Sequence, residues 1–320
     1  MSKTFIGEMI AGDTFPETSC EFMDEMIAGE SGGSSGGNNL NITDFSWFHY
    51  QHSRTDLIGL VDTSACTDFT GTYANCDTLE QIPWMNTSNG LSFKNLYNVC
   101  KSIKTVPKID TSKGVDFTQM YQQCESLEEI PFMDTSNGTL FKNMFWKCES
   151  LKTLPQLDTG KGVDFTYMAY YCTTLKELPP LNTSNGELFT YMVSRCYGLE
   201  SVHGIDLNKA TDTKYMFNEC SALTNLTLHN IRITLTIGSG TSYGHLLTVD
   251  SLVHTIKELC KVSAMTTLTM GSANLAKIAE LYCKVTDSTT EKIDMELCES
   301  TDEGAMTLSE YAQLKNWQFK

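Results

Sequence analysis

The segment NMFWKCESLKTLPQLDTGKGVDFTYMAYYC, from Asn143 to Cys172, decides the fold class. Its two cysteines, Cys148 and Cys172, are 24 residues apart, and the same interval recurs along the chain. It places one cysteine in each of seven successive repeats: Cys76, Cys100, Cys124, Cys148, Cys172, Cys196 and Cys220. A period between roughly 20 and 50 residues is typical of solenoids, in which each repeat is one winding of the chain.

Each winding, as the 24-residue repeat is called below, has two halves. Phe141, Met144, Phe145 and Cys148 follow the i, i+3, i+4, i+7 spacing that predicts a short amphipathic helix. The second half predicts a strand of three or four residues, because a proline in each winding cannot donate to a longer ladder. A glycine then predicts a left-handed or otherwise restricted turn in each winding: Gly90, Gly114, Gly138, Gly162 and Gly186. The pattern predicts an α/β solenoid with short parallel strands on one face, short helices on the other, and caps at both ends.

The cysteine column is interpreted as a row of reduced, buried thiols. A cysteine packs as a small hydrophobe, and side chains about 4.8 Å apart on neighbouring windings keep their Cβ atoms too far apart for a disulfide. No C-x-x-C pair occurs, and the histidines lack zinc-finger spacing relative to the cysteines. We therefore expect no metal and no cofactor.

The motif NMFWKCESLKTLPQLDT resembles the leucine-rich repeats of BspA-like surface proteins, found in gut bacteria, mycoplasmas and their prophages. The similarity covers about residues 57–228 and implies a right-handed leucine-rich-repeat coil stack with an adhesion or receptor-binding role and no catalysis. The C-terminal stretch that begins LTVDSLVHTIKELCKV and ends EYAQLKNWQF is similar to segments that close such arrays in structural proteins of tailed phages.

Four regions are predicted. Residues 1–38 form a tether or anchor with the SGGSSGG linker, and 39–64 an aromatic-rich N-terminal cap. Residues 65–228 form about seven windings, and 229–320 hold divergent repeats and a C-terminal cap. In the last region we expect helices around Leu252 to Leu259, over NLAKIAELYCKV and over TLSEYAQLKNW, the last with Thr307 and Glu310 as a capping box. Strands over TTLTMG and KIDMEL would continue the same sheet as two divergent windings.

Composition excludes several classes of function. The net charge is −16 and the 23 basic residues are scattered, so nucleic-acid binding is not expected. No apolar run is long enough for a membrane span, and the first residues lack the pattern of a signal peptide. No nucleophile elbow, H-E-x-x-H motif or phosphate-binding loop occurs, so we expect no enzyme. The turn acids Asp110, Asp134 and Asp158 are interpreted as caps of backbone amides, and His49 and His52 as cap residues rather than a ligand pair.

Two outward-facing columns are candidate binding sites. The first, called the aromatic patch below, consists of Trp146, Tyr167, Tyr170, Tyr171, Tyr191, Arg195 and Tyr215. Large aromatic side chains beside cations are typical of recognition surfaces, although a neighbouring subunit or the C-terminal region would cover them equally well. The second, called the proline-side column, follows each proline: Trp84, Lys108, Phe132, Gln156 and Pro180.

The sequence thus predicts a non-enzymatic binding protein that recognises a host-surface protein or glycan. A phage virion is the expected location, with contacts to other virion proteins through the N-terminal segment. A bacterial cell-surface adhesin and a purely structural virion subunit are the alternatives. No membrane insertion is expected, and the oligomeric state is left open.

Overall fold

The computed structural model describes residues 40–41, 44–46, 61–237, 247–287 and 294–320 of the 320-residue chain, all within the compact unit Leu40–Lys320. The predicted tether, the linker and most of the N-terminal cap, with His49 and His52, lie outside the described residues.

Residues that occupy the same position in successive windings lie side by side as parallel partners. One unbroken series of parallel bridges joins eight windings: Asp44, Asp68, Ser92, Asp116, Leu140, Asp164, Leu188 and Asp212. The series begins at Asp44, inside the segment that the sequence predicts as a cap. Phe45 is buried there with its ring edge against Phe69, as the first member of the phenylalanine column described below.

The segment from each phenylalanine to its cysteine, called the turn segment below, is not an α-helix, so the helix prediction is wrong. Its backbone N–H groups alternate between two acceptors. Phe145 N–H donates to the Met168 carbonyl of the next winding at 2.7 Å, and Met144 N–H donates back three residues to Phe141 at 3.2 Å. Apolar spacing does not separate the two conformations, because a run of four-residue turns buries the same positions as a helix.

Two positions of every turn segment have left-handed backbone. The second residue after the phenylalanine, or after Thr213 in the last winding, and the sixth have φ between 54° and 62°. These residues are Gly71, Asn75, Asn95, Val99, Gln119, Gln123, Asn143, Lys147, Tyr167, Tyr171, Tyr191, Arg195, Tyr215 and Glu219. Left-handed backbone is unfavourable for most residues, and here each of the sixth residues up to Arg195 donates its N–H to the next winding.

The second half of most windings forms isolated bridges, such as Thr105 to Glu129, in place of the predicted three- to four-residue strands. A full strand appears where the proline column ends: β3 covers Ser201–Asp206, with His203 at the proline position, and pairs in parallel with β4, Asn225–His229. The proline therefore limits pairing even more than expected. The other strand pair of the repeats, β1 (Leu40–Asn41) with β2 (Val61–Asp62), is also parallel.

The cysteine column is a row of buried free thiols that donate hydrogen bonds. Cys148 Sγ lies 3.1 Å from the Tyr121 carbonyl of the preceding winding, and Cys172 Sγ lies 3.0 Å from the Phe145 carbonyl. Every cysteine of the column from Cys100 to Cys220 makes the same bond, to the carbonyl 27 residues before it. Cysteine is used because a short side chain with a weak donor fits a dry site beside a backbone carbonyl.

Polar columns join the windings as well. Each buried threonine of the turn, such as Thr135, donates its hydroxyl to a carbonyl 23 residues on, here Asp158 at 2.8 Å. Lys161 Nζ donates to Asn137 Oδ1 at 2.6 Å, while the Asn137 amide donates to the Ser112 carbonyl at 2.8 Å. The same lysine–asparagine pair recurs at every second winding. The alternation of [ND]-T-S-N-G and D-T-[SG]-K-G windings is therefore an alternation of acceptor and donor.

The glycine column serves packing, since none of its five members has positive φ. A Cβ at Gly90 would lie 2.6 Å from Phe93 Cζ and 3.1 Å from two atoms of the Phe69 ring. The left-handed turn prediction is wrong, and the glycine instead makes room for a column of buried phenylalanine rings stacked 5.4 to 5.8 Å apart. At the end of the column the glycine and the phenylalanine are replaced together, the glycine by Ala210 and the phenylalanine by Thr213.

Most of the helices and strands predicted for the C-terminal region are present. α1 covers Val249–Lys257, β6 Thr266–Met270, α2 Ser272–Ala279 and β8 Asp294–Cys298. The final helix, α3, covers Leu308–Leu314 with the capping box of Thr307 and Glu310 in place. The remaining strands are β5 (Leu235–Ile237), β7 (Tyr282–Asp287), β9 (Met306–Thr307) and β10 (Trp317–Phe319).

Two expectations for this region are wrong. The helix over NLAKIAELYCKV ends at Ala279, and Tyr282 begins a strand. The strands also do not continue one sheet: β5, β6 and β10 form a parallel sheet, and β7 pairs antiparallel with β8 and β9. An antiparallel pair needs only a short connection, so this part of the chain escapes the phase of the repeats.

Substitution Gly90→Ala is expected to destabilise the protein by about 1–3 kcal/mol, because the added methyl group overpacks the phenylalanine column. Urea denaturation measures this, and Gly160→Ser is the matched control. Gly160 occupies a position that is serine in five other windings, and its Cβ would meet only polar side-chain ends at 3.2 Å or more. Equal losses in the two variants would contradict the packing role.

The thiol column predicts a loss of stability in alkali. Burial raises the pKa of Cys196 to about 12, so the folded state holds a proton that the unfolded chain releases above pH of about 8.5. This contribution is complete below that pH and is lost as the pH rises towards 12. In urea denaturation at pH 8 and pH 10 under reducing conditions, Cys172→Ala/Cys196→Ala should lose less stability than wild type, by up to about 1.4 kcal/mol per pH unit per thiol. Met168→Leu should keep the wild-type dependence, and an unchanged slope in the cysteine variant would contradict the prediction.

Candidate functional site

Three tyrosines of the aromatic patch form a stack across adjacent windings. Tyr167, Tyr191 and Tyr215 occupy the first left-handed position of their turn segments, and their rings lie 4.8 Å apart, nearly parallel. This is the spacing of neighbouring strands. Tyr215, at the end of the stack, is 47% exposed, and burial raises the pKa of the central Tyr191.

Tyr170 connects the stack to the other aromatic residues. Its ring meets Tyr167 at 5.2 Å and Tyr191 at 6.0 Å, edge to face in both cases. Trp146 lies 6.3 Å away in the preceding winding, and Tyr171 lies 6.2 Å away. Edge-to-face and offset contacts are the favoured geometries for aromatic rings, so the group forms one continuous surface.

Two cations lie over this surface. Lys147 Nζ is 6.0 Å from the Trp146 ring and 5.8 Å from the Tyr171 ring, and the Arg195 guanidinium carbon is 5.9 Å from the Tyr170 ring. The Tyr170 hydroxyl is the largest influence that raises the pKa of Arg195. The patch thus carries local positive charge on a protein with net charge −16.

The structure brings all seven predicted patch residues together and adds two that the sequence reasoning missed. Glu219 accepts from Arg195 Nε at 3.3 Å, and Tyr197, whose ring lies 6.0 Å from Tyr171, donates its hydroxyl to Glu219 at 3.2 Å. Tyr197 was missed because it directly follows Cys196, outside the positions predicted to face outward. Glu219 was missed because the patch was predicted from aromatic and basic residues, and Glu219 is acidic. The available signal was that Glu219 occupies the same position as Arg195, one winding later.

The predicted caps of backbone amides are observed at the turn acids. Asp110 Oδ1 accepts from Ser112 N–H at 2.9 Å, which lowers the pKa of Asp110, and Asp134 and Asp158 make the same bond two residues on. These carboxylates therefore hold the turns of their windings.

A scan of family models identifies the repeat region. The model described as "Mycoplasma protein of unknown function, DUF285" matches residues 43–154 and 116–231, more than half of the chain. The chain belongs to the DUF285 family. No curated protein and no solved structure matches it. The first match begins next to Asp44, where the series of parallel bridges begins, and the second ends just after β4.

The proline-side column of this DUF285 protein borders a groove. Phe132, Gln156 and Pro180 line a volume of about 650 Å³ together with turn residues such as Asp158 and Asn182. Trp84 and Phe132 are 63% and 61% exposed. The described contacts show no ring network there, in contrast to the aromatic patch.

One group of metal-ligating side chains occurs in the part of the chain that the structure describes. His229, His254 and Glu258 place one ligand atom each within 4.8 Å of one another. The sequence analysis predicted no metal and did not single out these residues, because they come from a strand and a helix that meet only in the fold. Among the described helices, none has the length and hydrophobicity to cross a bilayer.

Substitution Tyr191→Asn is expected to leave the free energy of unfolding within about 1 kcal/mol of wild type. Asparagine tolerates the left-handed conformation and occupies this position in Asn95 and Asn143, which offsets the lost ring contacts. Met192→Ala, at the adjacent buried position, should cost about 2–5 kcal/mol. Urea denaturation of both variants makes the comparison, and a loss above about 2 kcal/mol for Tyr191→Asn would show that the tyrosine stack holds the fold.

Proposed function

We propose that this DUF285 protein is a non-enzymatic binding module, built as a leucine-rich-repeat solenoid, that recognises a protein or glycan on a cell surface. The series of parallel bridges between successive windings supports the solenoid class. The observation that carries the binding role is the aromatic patch, in particular the three tyrosines placed at left-handed backbone positions.

The tyrosines are not required by the backbone that carries them. Earlier windings place Asn95, Gln119 and Asn143 at the same position, and asparagine is the residue best suited to left-handed backbone after glycine. Strained residues clustered on one surface support a hypothesis of function, since neither packing nor backbone preference selects them. Here the stacked rings are partly open to solvent.

The chemistry of the patch suits a ligand with both apolar and hydrogen-bonding parts. Tyrosine and tryptophan bury large area with little loss of rotamer freedom, and their polar ends hydrogen-bond at the edge of the contact. Sugar rings and aromatic or aliphatic protein side chains both fit this description. Lys147 adds a preference for acidic groups, whereas Arg195 is paired with Glu219.

For location, we propose association with a phage virion, with a bacterial cell surface as the alternative. This part of the proposal rests on the resemblance of the C-terminal stretch to phage structural segments. Fractionation of particles from cells that carry the gene distinguishes the two locations, and a purely structural virion subunit would be found in particles without binding cells or glycans.

The binding proposal predicts that Trp146→Ala and Tyr170→Ala each weaken binding about 30-fold or more, equivalent to about 2 kcal/mol or more for a central contact residue. Labelled full-length protein on glycan arrays and on intact bacterial and mammalian cells measures this. Trp84→Ala and Phe132→Ala are matched controls, since they remove exposed aromatics of the proline-side column.

The two sets of variants separate the two surfaces. Loss of binding in the patch variants alone supports the proposal. Loss in Phe132→Ala with retention in Trp146→Ala and Tyr170→Ala would contradict the patch and move the site to the groove. Retention in all four variants would contradict both surfaces.

A further inference from the structure

Helix α1 covers the open edge of strand β4 with its side chains. A strand edge presents alternating N–H and C=O groups that need partners. Leu226 N–H donates to Ser251 Oγ at 2.9 Å, the Leu228 carbonyl contacts His254 Nε2 at 3.0 Å, and Asn230 N–H donates to Glu258 Oε2 at 3.1 Å. Three side chains on one face of the helix thus replace the next strand.

This edge contact fixes the tautomer of His254. A carbonyl oxygen only accepts, so the Nε2 atom beside Leu228 carries the hydrogen. In the neutral ring the lone pair is then on Nδ1, on the other side of the imidazole. A histidine that donates one ring N–H to a backbone carbonyl and presents the other nitrogen is the usual arrangement of a metal ligand, because the carbonyl orients the ring and increases its basicity.

Two further ligating groups lie beside that ring. His229, at the end of β4, packs edge to face against His254 with ring centroids 5.2 Å apart. Its Nδ1 lies 3.7 Å from Glu258 Oε2. The ligand atoms of the three residues lie within 4.8 Å of one another, and all three side chains are partly buried with access from solvent.

We propose that His229, His254 and Glu258 form a binding site for a divalent transition-metal ion of the Zn²⁺ class. Two imidazoles and one carboxylate suit Zn²⁺ and disfavour Ca²⁺ and Mg²⁺, which prefer oxygen ligands. With metal–ligand bonds of about 2.0–2.2 Å, tetrahedral ligand atoms lie about 3.3 Å apart. The ligand atoms lie within 4.8 Å of one another, so binding requires a side-chain rotation, which the 41% exposure of the His229 side chain allows. Water completes the coordination.

The site would connect two parts of the fold. His229 belongs to β4 of the parallel pair β3–β4, whereas His254 belongs to α1, which covers that strand, and Glu258 is the C-cap residue of the helix. A bound ion would therefore hold α1 against the strand edge and stabilise the folded state by an amount that grows with the logarithm of the free metal concentration. The aromatic patch lies on other residues, so this proposal stands independently of the proposed function.

The experiment titrates Zn²⁺ alone into full-length protein that has been dialysed against a chelator, with calorimetry and a chromophoric chelator as competitor. Wild type should bind one Zn²⁺ per chain at this site and show a higher Tm with the metal. His229→Gln and Glu258→Gln should each bind Zn²⁺ about 100-fold more weakly. Loss of a residue that only supports a metal ligand already weakens binding by about 10- to 100-fold, and these two residues would be ligands themselves. His203→Gln is the matched control: this exposed histidine lies on the neighbouring strand β3, outside the cluster, and its variant should bind as wild type does.

Glu258→Gln keeps an amide oxygen as acceptor for Asn230 N–H, so the strand edge remains covered. If that variant nevertheless fails to fold, His229→Gln decides. Substitution of Co²⁺ adds a spectroscopic measurement: visible bands without a thiolate charge-transfer band support His and Glu ligation. Absence of Zn²⁺ binding in wild type, equal binding in wild type and His229→Gln, or a thiolate band that accounts for the bound metal would overturn the proposal.

Discussion

The rest of the structure depends on the hydrogen bonds that pass from each turn segment to the next winding. Every second N–H group, at Phe141, Asn143, Phe145 and Lys147 for example, donates to a carbonyl of the following winding. These bonds require left-handed backbone at two positions and fix the length of every winding. The thiol bonds, threonine bonds and stacked phenylalanines then recur because the same atoms meet again in each winding. A change in the length of one winding would break all of these columns at once, since unpaired buried backbone groups are costly.

The side-chain columns fall into two classes with different tolerance to change. Buried columns are coupled to their neighbours: glycine is required where phenylalanine stacks, and both change together at Ala210 and Thr213. The polar column alternates, because an asparagine oxygen must face a lysine such as Lys161 in the next winding. Outward columns lack such requirements and therefore vary along the chain. Residues can change there without loss of the register.

The sequence was sufficient for the repeat length, the buried columns and seven residues of the aromatic patch, though not for Tyr197 and Glu219, because each of the predicted features follows from what recurs once in every winding. It was not sufficient for the local conformation of the turn segment. The spacing of Phe141, Met144 and Cys148 fits a helix and a series of turns equally well, and the difference is made by bonds to another winding. The role of Gly90 was missed for the same reason, since one of the two rings that leave no room for a side chain, Phe69, belongs to another winding. His229 and Glu258 lie close together only because α1 packs on β4, and their positions do not follow the 24-residue repeat.

The energetics of the tyrosine stack favour a role outside the fold. Left-handed backbone costs a residue such as tyrosine about 1–2 kcal/mol, and Tyr167, Tyr191 and Tyr215 have this conformation in three successive windings. Each ring pair returns about 0.5–1.5 kcal/mol, and the three tyrosines make four such pairs, two with one another and two edge to face with Tyr170, which together roughly offset the backbone cost. Asparagine at the same positions would remove most of the backbone cost without any ring contacts, as in Asn95 and Asn143. The folded chain therefore gains little from tyrosine, which agrees with the binding role proposed for this surface.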